Sequence, residues 1–353
     1  MKFALALLLF AILATSAHAQ IFSLTRTSSS GSGAVDALFD TELQKVENEI
    51  NEDLPAGNPK RLMEGMANSQ AAAGKGLATD YISHFETFMI GAGVGAGADL
   101  EENKEYDSDL SGAGVQGGIM VGLHMSAFSD GGTILGMDPE KLSVVLNAFR
   151  FDLDRKSDDN TVKAKLTSFG FMGSYRIKDG DRSRWFGWDG FRVHTGYQYS
   201  STELDFSTTI NESVNATSGG ATVTGTIQGT PKANIESTIH SIPLEISSGV
   251  NFLYIVSFYA GFGTDFNMGS AKGKADDNVD QSTITCNGGP CGGQSVTVDA
   301  KANVNEKNSV KPFFLRGFAG FQFNLPYFNV FVHANKVFGT EVYSASTGLR
   351  LVF

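Results

Sequence analysis

The chain has 353 residues, 41% of them hydrophobic and 18% charged, with 41 Gly, 27 Phe, 2 Cys and a formal net charge of −11. It is too apolar for a disordered chain, and 27 Lys+Arg against 38 Asp+Glu leave no basic surface for nucleic acid. No run of eighteen apolar residues follows the first twenty positions, which excludes a membrane-spanning helix.

Lys2 precedes a continuous apolar run over residues 3–14, and Ala17 and Ala19 flank His18 in the small-x-small pattern that signal peptidase reads. Residues 1–19 are therefore expected to be a cleaved export signal. The mature chain then starts near Gln20, has no Cys at that point to carry a lipid, and has a net charge of −12, since Lys2 is the only charge removed. Residues 20–81 read as a leader followed by amphipathic helices. Residues 21–33 are rich in Ser, Thr and Gly and are expected to be flexible. Val35, Leu38, Phe39, Leu43, Val46, Ile50 and Leu54 then form one helical stripe, which Pro55 and Gly57 stop. A second helix starts at Asn58 and Pro59, with Leu62, Met66, Ala73 and Leu77 at helical spacing. These helices are expected first of all to pack on the rest of the protein, the sharper alternative being a plug inside a barrel or a periplasmic helical module.

Residues 82–353 switch to alternation. Ten segments show it, near residues 84–98, 111–127, 140–153, 163–178, 189–207, 237–250, 253–270, 311–325, 327–337 and 342–353. The links after the odd-numbered segments are polar and long, reaching residues 207–237 and 271–309, while those after the even-numbered segments shrink to a few residues. Long loops at one end and short turns at the other fit an antiparallel transmembrane β-barrel, with both termini expected on the periplasmic, short-turn side. The apolar set, such as Val115, Ile119, Val121, Leu123 and Met125, is assigned to lipid. Trp185, Trp188, Phe191, Tyr327 and Phe328 suit the interfacial aromatic girdle.

The last segment places Tyr343, Ala345, Thr347, Leu349, Leu351 and the terminal Phe353 on one face. It resembles the closing strand of Gram-negative outer-membrane proteins. The resemblance implies recognition by the barrel-assembly machinery, with Tyr343, Leu349, Leu351 and Phe353 as the signal, and a location in the outer membrane among its lipids.

With apolar faces outward, the lumen is expected to hold Gln116, His124, Arg192, His194, Gln198, Glu245, Arg316, Gln322, Asn324, Asn329, His333, Asn335 and Arg350. Ten strands enclose little free space, so Arg192, Arg316 and Arg350 with Glu245 read as a structural ion-pair lattice before a selectivity constriction. His124 and Ser126 point the same way in a strand and resemble the His-x-Ser of outer-membrane phospholipases and lipid A deacylases. Here, however, the pair falls late in a descending strand with Leu123 and Met125 toward lipid, so it reads as a lumen hydrogen bond and no enzyme is expected. The alternate glycines Gly91, Gly93, Gly95 and Gly97 read as room for curvature or close packing. Cys286 and Cys291 flank a Gly-Gly-Pro turn and are expected to form a disulfide at a loop tip. No cofactor or metal is implied. The expected role is a surface protein that is structural or binds an extracellular ligand or surface partner through its two long loops. The alternative is a narrow porin-like channel, with an outer-membrane lipid hydrolase more remote.

Overall fold

The computed structural model describes residues 22–26, 36–37, 39–41, 43–45, 59–82, 85, 87–102, 108–128, 132–157, 160–181, 185–218, 221–230, 232–253, 255–276, 282–287, 295–302 and 305–353. The expected export signal, most of the first helix and Cys291 lie outside these residues, as does the side chain of Cys286, so the disulfide does too.

Ten long strands follow one another: β1 (Phe88–Glu102), β2 (Ser108–His124), β3 (Leu142–Lys156), β4 (Asn160–Lys178), β5 (Phe186–Thr208), β6 (Lys232–Phe252), β7 (Val256–Asp276), β8 (Phe313–Leu325), β9 (Phe328–Val337) and β10 (Val342–Val352). Each pairs antiparallel with its neighbours in sequence, and β10 returns to β1 with Tyr343 opposite Ala98 and Leu351 opposite Ile90. The sheet is therefore closed, so no strand leaves a free row of amides and carbonyls to hydrocarbon. Phe353 sits on that closing seam: its carbonyl accepts from Thr87 N at 2.8 Å, and its ring stacks on Phe88 at 4.5 Å between centroids.

The wall decides between a soluble barrel and a membrane one. Ile119, Leu146, Phe171, Leu244, Phe262 and Leu349 point away from the ring and are 45–63% exposed, while Ser241, Glu245, Asp265, Arg316, His333 and Arg350 on the opposite parity are buried. Greasy outside and polar inside is the pattern of a transmembrane barrel. The chain is an antiparallel transmembrane β-barrel of ten strands. An Arg placed at Leu244, about midway along β6, is expected to cost about 2–4 kcal/mol of unfolding free energy in lipid vesicles. A loss well under 1 kcal/mol would mean that this face does not meet acyl chains.

Three sequence expectations change. Strands run further toward the long links than alternation suggested: β6 starts at Lys232 rather than 237 and β7 ends at Asp276 rather than 270, because the outward face there is polar and the contrast fades. Val115 has outward parity but is buried. Above Ile119 the ladder between β2 and β3 stops, leaving six register pairs from Ile119–Ala148 to His124–Ser143. Instead the Phe149 ring lies against Gly117, and Ser168 Oγ of β4 donates to the Gly117 carbonyl at 2.8 Å. The upper parts of β3 and β4 thus lap over β2.

The third change concerns the N-terminus. Phe22–Arg26, expected as part of a flexible periplasmic leader, is a strand paired with Ser295–Ala302, Phe22 opposite Ala302 and Arg26 opposite Val298. It forms one edge of a five-stranded sheet with Ser295–Ala302, Ser282–Asn287, Ala221–Gly229 and Ile210–Ser218. The two long links therefore pair with each other, Cys286 opposite Val223.

Candidate functional site

The helix α1 (Pro59–Ala73) starts at a proline, which costs nothing at a first helical position, and ends at Gly74 and Gly76. Its stripe of Met63, Met66, Ala67, Ala71 and Ala72 packs on Ile239, Ala271, Phe314, Val337 and Val342, which face into the ring from β6, β7, β8, β9 and β10. The opposite side of α1 meets β1 and β2. A helix touching both sides of a closed ring lies inside it.

The glycines make this possible. A Cβ at Gly97 would run into the Ser69 carbonyl, one at Gly95 into the Ala73 carbonyl, and one at Gly114 into the backbone of Gln70. Bare strand backbone thus lies directly on helix backbone. Gly76, at φ +83°, takes a left-handed turn against the His333 ring that a side chain would not fit.

The rod's polar groups are matched to the wall at three depths. Near the long-link end Arg61 binds Asp99 of β1 at 2.7 and 3.2 Å, Asn68 donates to the same carboxylate at 3.1 Å, and Gln116 Nε2 donates to the Gln70 carbonyl at 2.9 Å. At mid-depth Lys75 Nζ lies 3.2 Å from Asp265 and donates to Ser241 Oγ at 2.7 Å. Arg316 of β8 donates to Asp265 at 2.9 Å and to Asn335 at 2.6 Å, and also pairs with Glu245. Below this, Arg350 meets Asp80 at 3.3 Å and donates to the Thr79 carbonyl at 2.7 Å. Each charge of the rod named here therefore faces an opposite charge on the wall, which is what a dry interior requires.

Tyr81 fills the middle. Its hydroxyl donates to Glu245 Oε2 at 2.8 Å, and its ring stacks on Tyr259 at 4.7 Å and His333 at 5.1 Å, tilts against Phe318 at 5.0 Å and meets His194 edge-on at 5.1 Å. His194 is held by Ser174 and Ser247, both at 2.7 Å.

The inward residues expected from sequence are distributed as follows. Glu245, Arg316, His194, His333 and Asn335 gather around Lys75 and Tyr81. Arg350 joins Asp80 instead of Glu245, and buried Arg192 lies 3.7 Å from Asp189. Gln322, Asn324 and Ser257 form a separate network, with Gln322 donating to Asn324 and Asn324 to Ser257, both at 2.6 Å, and Asn329 is buried. Gln198 is half-buried on the inward parity of β5. His124 Nδ1 and Ser126 Oγ are 2.7 Å apart at the turn end, half-buried beside Lys141 and Ser143. Nearby, Lys141 and Asp179 pair at 2.7 Å in the turns, which raises the ammonium pKa and lowers that of the carboxyl. Tyr343, Leu349, Leu351 and Phe353, expected from sequence as an assembly signal, point outward and are exposed. Sequence reasoning missed Lys75, Asp80, Tyr81, Asp99 and Asp265, and it missed the apolar part of the interior altogether.

Comparison with known proteins adds a family. The family model described as Lsa36-like matches residues 16–353. The chain belongs to the Lsa36-like family. No curated protein matches it. Among solved structures, the fold resembles the translocator domain of the autotransporter NalP from Neisseria meningitidis at 9% identity, covering 76% of this chain and 88% of that one with a TM-score of 0.31. It also resembles the transport unit of the autotransporter AIDA-I from Escherichia coli at 10% identity, 80% and 95% coverage and a TM-score of 0.31. Ail, the attachment invasion locus protein of Yersinia pestis, matches at 11% identity, 76% and 99% coverage and a TM-score of 0.25. Likenesses this faint add no weight. The membrane assignment of this family member stands on its closed ring and outward apolar faces.

Proposed function

We propose that the protein is a non-enzymatic surface barrel. Its lumen is sealed by residues 59–82, and the sheet built from its two long links meets an extracellular ligand or surface partner. Export by a cleaved signal and insertion by the barrel-assembly machinery through the Phe353 strand complete the reading. The observation that carries it is the mid-lumen: Lys75, Asp265 and Arg316 are at most 1% exposed and Tyr81 is 3% exposed. A path for solutes would wet these side chains, and their matched charges would then be screened by water rather than by one another. The reading favours a wall-anchored scaffold over the porin-like alternative for the same reason. Purified full-length protein is expected to give no steady open steps in planar bilayers. Regular steps from the intact chain would overturn the sealed-lumen reading in favour of a channel.

A further inference from the structure

We infer that the N-terminal part of the mature chain is displayed on the cell surface, having passed through its own barrel. The inference rests on the outer-membrane reading above and on the order of contacts along the inner segment. The Lys60 carbonyl accepts from Asn308, beyond the long-link end of β8, at 3.2 Å, and Arg61 meets Asp99 near the top of β1. Fourteen residues on from Arg61, Lys75 meets Asp265 at mid-wall. Asp80 then meets Arg350 near the end of β10, and Thr87 bonds the carbonyl of Phe353 just before β1 begins its climb. The segment enters at the long-link end and leaves at the turn end.

For a closed ring this order has a topological consequence. Whatever precedes α1 must lie on the side where α1 enters, which is the opposite side from where β1 starts. An independent observation agrees: Phe22–Arg26 pairs over five residues with Ser295–Ala302, a strand of the longest link. An exported chain is delivered to the periplasm, so its N-terminal stretch has to reach the outer face together with the barrel. The rod's matched ion pairs and its glycine-lined bed then hold it there. The extracellular sheet includes an edge strand supplied by the N-terminus, so the surface presented outward is built from the N-terminal stretch together with the two long links rather than from loops alone.

The test uses intact cells expressing the full chain with a short peptide epitope at one of three places: between Arg26 and Thr27, at residues 219–220, or at residues 132–136 in the link between β2 and β3. Antibody is expected to stain the first two without permeabilisation and the third only after it. Staining at residues 219–220 with none at Arg26 until permeabilisation would overturn the threading while leaving the barrel's orientation intact. If residues 132–136 were stained on intact cells and residues 219–220 were not, the orientation itself would be wrong. Because an insertion after Arg26 could prevent assembly, untagged cells are also treated with trypsin. Mass spectrometry of the outer-membrane protein is expected to show a new N-terminus at Thr27, and a chain that keeps residues 20–26 while the linker at 219–220 is cut by a broad-specificity protease would refute the display.

Discussion

Deleting residues 20–82 is expected to turn a silent barrel into one that passes steady current in planar bilayers. The deletion removes the rod, the Tyr81 stopper and the ion-pair partners at all three depths. Asp99 and Asp265 lose Arg61 and Lys75, and Arg350 loses Asp80. Exposed to a polar tunnel, these groups are solvated by water that fills the vacated space. From the inner segment 59–82 three cations (Lys60, Arg61, Lys75) and two anions (Glu64, Asp80) leave, so the open lumen gains one net negative charge and is expected to prefer cations mildly. A variant that keeps the whole chain checks the result. Leucines at Gly97 and Gly114 would need the space taken by the Ser69 carbonyl and the Gln70 backbone. Overpacking costs roughly 1–3 kcal/mol at each site, so the pair is expected to loosen the rod and give flickering steps smaller than those of the deletion. Silence from both variants, with heat-modifiable folded barrel present on gels, would show that something other than this segment closes the lumen.

Replacing Asp265 by Ala is expected to destabilise the folded barrel by about 3–5 kcal/mol, read from urea unfolding in lipid vesicles. Asp265 faces Lys75 at 3.2 Å and Arg316 at 2.9 Å, all three fully buried, so its removal leaves two cations against Glu245 alone. Neutralising Lys75 restores the balance. The double variant Asp265→Ala with Lys75→Met leaves Arg316 and Glu245 as a neutral pair and is expected to recover more than half of the loss. Two single losses that simply add would mean the side chains do not interact, and the lattice would be an accident of proximity.

The wall was legible from the letters and the interior only partly so. Period-two alternation needs one apolar and one wet face, and lipid supplies that contrast from β1 to β10. Where the outward face is polar, as at Glu236 on β6 or Lys272 on β7, the signal fades and the strand ends were read short. Asp99 and Asp265 were within reach, because the inward parity of Gly91 to Gly97 continues to Asp99 and that of Ser257 to Gly263 continues to Asp265. Lys75, Asp80 and Tyr81 were not. They lie in or after a helix end whose place depends on where the rod goes, and helical spacing is the same inside a barrel as beside one. The same ambiguity hid the apolar interior: Phe314 and Phe331 face inward because α1 and Leu77 bring grease of their own. Val115 was misplaced because nothing in one strand's alternation reports that two others overlap it.

That overlap bears on how the cylinder keeps its girth. The joint between β2 and β3 holds six register pairs, against nine between β9 and β10 and twenty-one between β6 and β7. A hoop parts first at its least-stitched join. Here the inner rod leans on β2 just above it, Gly65 against Gly112 and Gln70 against Gly114, and so acts as a strut behind the weakest stave. Drawing the rod out would therefore do two things in one stroke: it would empty the bore, and it would take away the brace that keeps the side of the vessel from springing.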